Sequence, residues 1–366
     1  MEKIGRWTAG IFFILIGVLF IFQSWLNISI LSMLSFLWPI ILFSLGVEFI
    51  YQYRIKEVGE SLKFDRLAMT LLVSIVLISS ALHSFQNSGL ANAIPFFGEN
   101  TSMEVNEIYS AKNIDSFSFE TVNGAIELEG TDTDEIQIIG TVKSRHRNEK
   151  ELKKAFESAL EVKDSQHEFQ YNLKGNSSFF SKTNNFTVDL KIFVPKELDN
   201  VKMRVTNGAL QTTSVDGNVE LTSVNGKISM DQISGNVHAR TTNGAINLTD
   251  IGGSGEITTT NGKMKLKNMK SDLMVKGTNG AIEINSEVAG NWDIRTTNGR
   301  ISIDIPTNSD AAIQGKTTNG SVDGNVQWVR SGDGARRNKE GTAMLNTGSF
   351  TIDVNNTNGS IHVNTR

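Results

Sequence analysis

From Val205 to Ile303 apolar and polar residues alternate in short runs, and the runs are punctuated by Asn-Gly. The pair falls at Asn207-Gly208, Asn225-Gly226, Asn243-Gly244, Asn261-Gly262 and Asn279-Gly280, 18 residues apart each time. Asn298-Gly299 and Asn319-Gly320 follow after 19 and 21 residues. A weaker turn sits halfway, at Asp216-Gly217, Ser234-Gly235, Gly252-Gly253, Lys270-Ser271 and Ala289-Gly290. The unit is therefore two strands and two tight corners, since Asn and Gly both tolerate positive φ. Within the strands the inward positions read Val237, Ala239, Thr241 before a corner and Ile246, Leu248 after it, with Met264, Leu266, Ile282, Ile284, Trp292, Ile294, Ile301 and Ile303 in later copies. Polar neighbours such as Asn247, Lys265, Glu283 and Ser302 alternate with them, the mark of a half-buried strand.

Two architectures fit this pattern. An antiparallel meander uses Asn-Gly as a hairpin turn, but leaves one apolar face that nothing in the repeat covers. A β-solenoid stacks coil on coil, buries that face on itself and ladders Asn over Asn. The expected fold is all-β: a β-solenoid of 18-residue coils over residues 201–366. A small α+β cap over 113–200 precedes it, and three transmembrane helices within 1–85 anchor it through a linker at 86–112.

The anchor is read from three apolar stretches, Thr8–Leu26, Ile30–Ile50 and Leu67–Ser84, each near the roughly 20 residues that span a bilayer. Lys3 and Arg6 precede the first, and Arg54, Lys56, Lys63 and Arg66 lie between the second and third. Basic loops stay in the cytoplasm, so the chain after Phe85 is expected on the extracytoplasmic side of the cell membrane. Glu48, the one acid within a span, is expected to snorkel to the nearby interface. In the cap, Asn148, Glu151, Leu152, Phe156 and Leu160 predict a capped amphipathic helix from Asn148 to Glu161. Strands near His167–Leu173 and Phe186–Val194 are expected to help it shield the first coil from edge pairing. After Asn319-Gly320 the period breaks, and Phe350–Val354 with Ser360–Val363 read as closing coils.

The phrase Thr241–Leu248 (Thr-Thr-Asn-Gly-Ala-Ile-Asn-Leu), its copies and the lead-in Phe193–Leu198 resemble the bacterial putative-adhesin β-strand-repeat family across roughly residues 110–366. Gly10–Gly17, Leu37–Ile41 and Gly46 resemble the membrane regions of Lia-type cell-envelope stress proteins. Together these resemblances imply a bacterial membrane protein exposing a β-repeat domain to the envelope.

The chain carries a net charge of −4 and no Cys. That leaves no disulfide, Cys-ligated metal or Cys nucleophile, and nothing points to nucleic acid. No cofactor and no catalytic residue is predicted. Asp216, Asp231, Asp250, Asp293, Asp304 and Asp310 occupy no common place in the unit, and a glycan-cleaving enzyme needs paired carboxylates facing one groove. His146, His167, His238 and His362 lack metal-ligand spacing and read as surface residues. The singled-out residues are structural: the corners Asn207, Gly208, Asn225, Gly226, Asn243, Gly244, Asn261, Gly262, Asn279, Gly280, Asn298, Gly299, Asn319 and Gly320. Beside them Thr206, Thr242, Thr260, Thr278, Thr297 and Thr318 form a column. It is read as hydroxyls satisfied along the stack, against the alternative of a flat surface for ice or glycan.

The resulting expectation is a non-enzymatic envelope protein whose partners are the membrane and, through the solenoid, cell-wall glycan or envelope proteins. An accessory sensor acting through a membrane kinase is the first alternative, and a glycan-cleaving enzyme the second.

Overall fold

The computed structural model describes residues 4–14, 37–55, 64–87, 101–144, 146, 148–165, 167–174, 186–330 and 338–366. They fall into two compact units, 1–99 and 100–366.

In the N-terminal unit residues 6–14 are helical, followed by helices α1 (Leu37–Ile55) and α2 (Arg66–Asn87). Phe12, Ile41 and Leu72 pack together where the three meet. The outward positions are apolar as well: Phe43 is 75% exposed, Leu67 74% and Leu77 64%. Among the described residues no helix is long and apolar enough to cross a membrane. Residues 15–36, which carry most of the first expected span, lie outside those described.

Glu48 corrects the sequence expectation. It is 7% exposed rather than snorkelled. Its Oε1 accepts from the backbone N–H of Gly5 at 2.9 Å and of Trp7 at 3.3 Å. Its Oε2 accepts from the N–H and the hydroxyl of Thr8, at 3.0 and 2.6 Å. The free amides of a helix N-terminus, together with their share of the helix dipole, hold a carboxylate without a cation. A side chain of α1, some 40 residues further along the chain, thus caps the helical segment 6–14. The ion pair Arg6–Asp65 (2.7 Å) and the Asp65 amide bonded to the Ile4 carbonyl (3.0 Å) close the same end.

The second unit is a parallel β-solenoid, which settles the two-architecture question against the meander. Strands that end at Asn-Gly form one face: Asn200–Asn207, Asn218–Asn225, Val237–Asn243, Gly255–Asn261, Leu273–Asn279 and Trp292–Asn298, each parallel to the next. Strands that follow Asn-Gly form the other: Leu210–Val215, Ile228–Ile233, Ile246–Ile251, Met264–Met269, Ile282–Asn285 and Ile301–Ile305. The register advances 18 residues per coil, as in Ile246 opposite Met264. All the inward residues named above are buried, and they fill one continuous core between the two faces. An all-parallel stack is covered on one side only by itself, so period-2 alternation survives on its outer side.

At both ends chain order and spatial order part company. Ser116–Thr131 supplies a whole coil and lies between Asn200–Val215 on one side and Glu168–Leu173 with Thr187–Pro195 on the other. At the far end Phe350–Asn358 and Ile361–Thr365 slot between the 292–305 coil and the coil begun by Ala311–Asn319. The C-terminal segment is therefore next to last in the stack, not the closing coil the sequence suggests. Antiparallel strands cover the exposed edges, Leu160–Asp164 and Glu135–Ser144 at one end and Glu340–Leu345 at the other. Covering an edge removes a template for aggregation.

Two boundaries differ from the sequence expectation. Thr101–Ser110, read as linker, is a strand paired antiparallel with Glu135–Ser144; residues 88–100 lie outside those described. Helix α3 spans Glu149–Ala159, with the Asn148 side chain accepting from the Glu151 N–H at 2.9 Å. Its buried stripe is Leu152, Phe156 and Ala159, because Leu160 has already left the helix for a strand.

Candidate binding surface

The Asn-Gly corners stack into one continuous ladder. Each carboxamide donates Nδ2–H to the Oδ1 of the Asn in the neighbouring coil. Asn225 donates to Asn207 (2.8 Å), Asn243 to Asn225 (2.7 Å), Asn261 to Asn243, Asn279 to Asn261 and Asn298 to Asn279 (2.8 Å each). The two inserted end coils join without a break: Asn207 donates to Asn123 at 2.9 Å, and Asn358 to Asn298 and Asn319 to Asn358 at 2.8 Å. Every bond points the same way, so their dipoles add and the bonds reinforce one another. From Asn207 to Asn319 along the stack, one amide N–H of each ladder Asn has no partner among the described residues and can face solvent.

The glycines beside them serve closeness more than φ. A Cβ on Gly244 would sit 1.9 Å from the carbonyl oxygen of Gly226, and one on Gly262 1.9 Å from that of Gly244. Gly208, Gly280 and Gly299 do have positive φ, whereas Gly226, Gly244 and Gly262 are not in that region. The true left-handed positions are elsewhere. Ser214, Gln232, Asp250 and Asn268 have φ of 59°, 56°, 54° and 54°, one per coil, before the second corner. Their side chains bridge coils, as in Asn268 Nδ2 to Asp250 Oδ1 at 2.7 Å. No glycine marks that bend, so a search for glycine passes over it.

The threonine column is the second correction. Thr206, Thr242, Thr260, Thr278, Thr297 and Thr318 are exposed. Among the described residues their hydroxyls have no protein partner. The hydroxyls that satisfy the stack are one residue earlier: Ser223 donates to the Gly208 carbonyl (3.0 Å), Thr241 to that of Gly226 (3.1 Å) and Thr259 to that of Gly244 (3.2 Å). At the corner two successive residues point outward, so alternation stops at the inner hydroxyl and the Thr beside Asn is left in water.

Most of the singled-out acids are held apart, each by a neighbour of its own. Asp216 accepts from Ser234 (3.2 Å), Asp250 from Asn268 and Asp304 from Asn364 (3.2 Å), all neighbours in the stack. Asp231 projects from the second face between Thr213 and Thr249. Asp310 accepts from the hydroxyl and N–H of Ser349 and from the Thr347 hydroxyl, which hold its carboxyl below the usual carboxylate range. One pair does come together: Asp293 and Asp353 are in register on adjacent coils, and Arg295 Nε donates to Asp293 at 2.7 Å. They lie in an open trough of about 910 Å³ along the outer side of the first face, with Glu220, His238, Glu256 and Met274. Three of the four histidines read as surface residues have carboxylate partners: His167 with Asp115 (2.7 Å), His238 with Glu256 (3.3 Å) and His362 with Asp323. Burial pushes the Asp323 carboxyl up, but hydrogen bonds from His362 and Ser321 outweigh it and hold it below its ordinary value. Among the described residues no group of three or more His, Asp or Glu could hold a metal ion.

Fold and surface together define a capped two-faced β-solenoid whose exposed features are ladders rather than a pocket. Residues 114–364 match the Toastrack DUF4097 family, and the chain belongs to it. The match stops short of the N-terminal unit, so it does not bear on the Lia-type resemblance. No curated protein matches the chain. Similar solved structures include a putative cell adhesion protein from Clostridium sporogenes ATCC 15579, 14% identical, covering 72% of this chain and 100% of that one, TM-score 0.27. Another is a putative lipid binding protein from Parabacteroides distasonis ATCC 8503, 13% identical, covering 74% and 97%, TM-score 0.37. A third is a putative adhesin from Bacteroides fragilis NCTC 9343, 11% identical, covering 72% and 97%, TM-score 0.31.

Proposed function

We propose that this chain is a non-enzymatic, membrane-anchored protein that holds a rigid β-solenoid outside the cytoplasm and binds or scaffolds envelope components with it. The observation that carries the reading is the uninterrupted asparagine ladder, which fixes exposed columns of identical side chains at one strand spacing per coil. Such a surface suits a long, repetitive partner better than a small substrate. Support for the anchor is the N-terminal unit, whose helices turn apolar side chains outward as well as inward; a soluble protein rarely leaves so much apolar surface uncovered. Signalling through a membrane kinase has no structural observation of its own.

The test has two arms. Cys introduced at Thr278, an exposed position, should label in whole cells with a membrane-impermeant maleimide, and Cys at Ser61 should not. Labelling at Ser61 alone would sink the topology. Crosslinked pull-down from intact cells should recover wall or envelope material without the protein releasing soluble sugar from it. Sugar release that Asp293→Asn or Asp353→Asn abolishes would replace this reading with a hydrolase.

A further inference from the structure

The ladder edge carries a charge pattern that the 18-residue period hides. Three residues before the corner Asn stand Arg204, Arg240 and Lys276; two residues after it stand Lys227, Lys263 and Arg300. They alternate coil by coil, so each of six consecutive coils places a cation at the edge, on opposite flanks in turn. Where one flank is charged, the opposite one carries Ala or Thr (Ala209, Thr222, Ala245, Thr258, Ala281) until the sixth coil, which has Arg295 as well as Arg300. The inserted coil has the uncharged Asn355 and Ser360 at the same places, and Lys316 stands beyond it on the last coil. All of these cations are exposed. No Asp or Glu lies within three residues of any corner Asn from Asn207 onward, in a chain whose net charge is −4.

Half of these cations are unspent. Arg204 approaches Glu220 only at 4.0 Å and Lys316 approaches Glu340 at 3.9 Å, while Lys263 pairs with Glu283 and Arg295 with Asp293. Lys227, Arg240, Lys276 and Arg300 make no ion pair among the described residues. Between the two flanks run the free Thr hydroxyls and the spare N–H of each ladder Asn. Strand spacing sets successive cations roughly 4.8 Å apart along the stack and those on one flank about twice that.

We propose that the Asn-Gly edge binds a linear anionic polysaccharide lying along the stacking axis. This rests on the reading of the solenoid as an envelope-binding surface and names its ligand. The alternating cations meet acidic groups on the two sides of an extended chain, while Thr and Asn meet its hydroxyls. A single-stranded nucleic acid would call for stacking aromatics, and a membrane surface for apolar or aromatic anchors. The edge has no aromatic residue and a single exposed aliphatic, Val224.

The experiment uses the full-length chain in detergent and immobilised polygalacturonate as probe, with neutral dextran and anionic phospholipid vesicles beside it. Triple variants Arg204→Ala/Arg240→Ala/Lys276→Ala and Lys227→Ala/Lys263→Ala/Arg300→Ala each remove one flank. Lys265→Ala/Lys267→Ala/Lys270→Ala removes the same charge from exposed positions away from the edge. Wild type should bind polygalacturonate, weakening as salt rises, and each flank variant should lose about tenfold or more, against about twofold for the control. Matching thermal midpoints confirm that the outward substitutions leave the fold intact. Equal loss in the control, binding to dextran as strong as to polygalacturonate, or binding to vesicles alone would overturn the proposal. If intact-cell pull-down still recovers envelope material while polygalacturonate binding is absent, the edge assignment fails and the broader function stands; failure of both removes both.

Discussion

The regular middle of the solenoid and its two ends reach the same geometry by different routes. Between residues 200 and 305 each coil lies on the one made just before it, and ladder bonds join residues 18 or 19 apart in sequence. At the N-terminal end the same bond joins Asn207 to Asn123, 84 residues apart, and at the C-terminal end Asn358 to Asn298, 60 apart. The bonds are all between 2.7 and 2.9 Å long, so the difference lies in chain entropy: closing the longer loop costs more before any contact forms. A stack of nearest-neighbour units would otherwise fray at its last coil. Slotting strands 350–365 between two coils bonds them on both sides, and just past them the Arg366 N–H reaches the Ile305 carbonyl at 3.0 Å. The middle propagates, and the ends lock.

The largest test of that contrast removes the lock. Truncation after residue 345 deletes Ile352, Val354, Ile361 and Val363, all fully buried. At ~1.5 kcal/mol or more each, roughly 6 kcal/mol of burial is lost. Amides of 311–323 should then lose protection in hydrogen exchange while those of 237–261 keep it. Unchanged protection at 311–323 would show that the inserted strands lock nothing.

Next in size is the middle's intolerance of any side chain at the corner. Gly244→Ala puts a methyl into the backbone of the adjacent coil, which cannot yield without parting the ladder, and should cost about 3 kcal/mol or more. Gly348 sits in an end loop at φ 72°, and a Cβ there comes no closer than 3.4 Å to any neighbour, Ala312 Cβ being the nearest. Gly348→Ala therefore carries conformational strain alone, about 1 kcal/mol. Thermal midpoints that rank the two the other way would reverse the argument. Asn243→Ala comes third: it loses the bond to Asn225 and the one from Asn261, for about 1–2 kcal/mol, whereas Asn319→Ala loses only the bond to Asn358, about half as much.

These same residues mark what was legible in the sequence. The period fixed the coil, and alternation fixed which side of each strand faces the core, because both are local properties of a strand. Corners are where local reasoning stops. Whether Gly244 answers to φ or to a neighbour's carbonyl depends on the stacking distance, which no single coil contains. Thr242 is out and Thr241 in because the corner breaks alternation once. The swapped order at the ends was hidden for the same reason: Phe350–Val354 reads as one more coil, and nothing in its composition says between which two it goes. Glu48 escaped because three of its four bonds come from backbone amides some 40 residues earlier, which leave no trace in side-chain pattern. The cationic edge was in plain view, but only at twice the period being counted.

The smallest effect separates the two ends by pH. At the N-terminal end His146 stacks on Phe186, ring centroids 6.3 Å apart, and burial lowers its pKa against a weaker opposing pull from Glu151. The unfolded chain therefore binds the proton more readily than the folded one. That contribution is complete above the unfolded value of about 6.5 and is lost as pH falls toward the folded pKa. At the C-terminal end Asp323 is held below its ordinary value, so its contribution persists through mild acid and goes only as pH drops below about 3.9. Lowering pH from 7.5 to roughly 5 should thus loosen amide protection in 135–144 slightly and leave 350–365 alone, an effect kept small by the solvent reaching His146. His146→Phe keeps the stack on Phe186 and removes the proton, so its N-terminal end should become insensitive over that interval. Equal loosening at both ends in wild type, or an unchanged response in His146→Phe, would refute this origin of the difference.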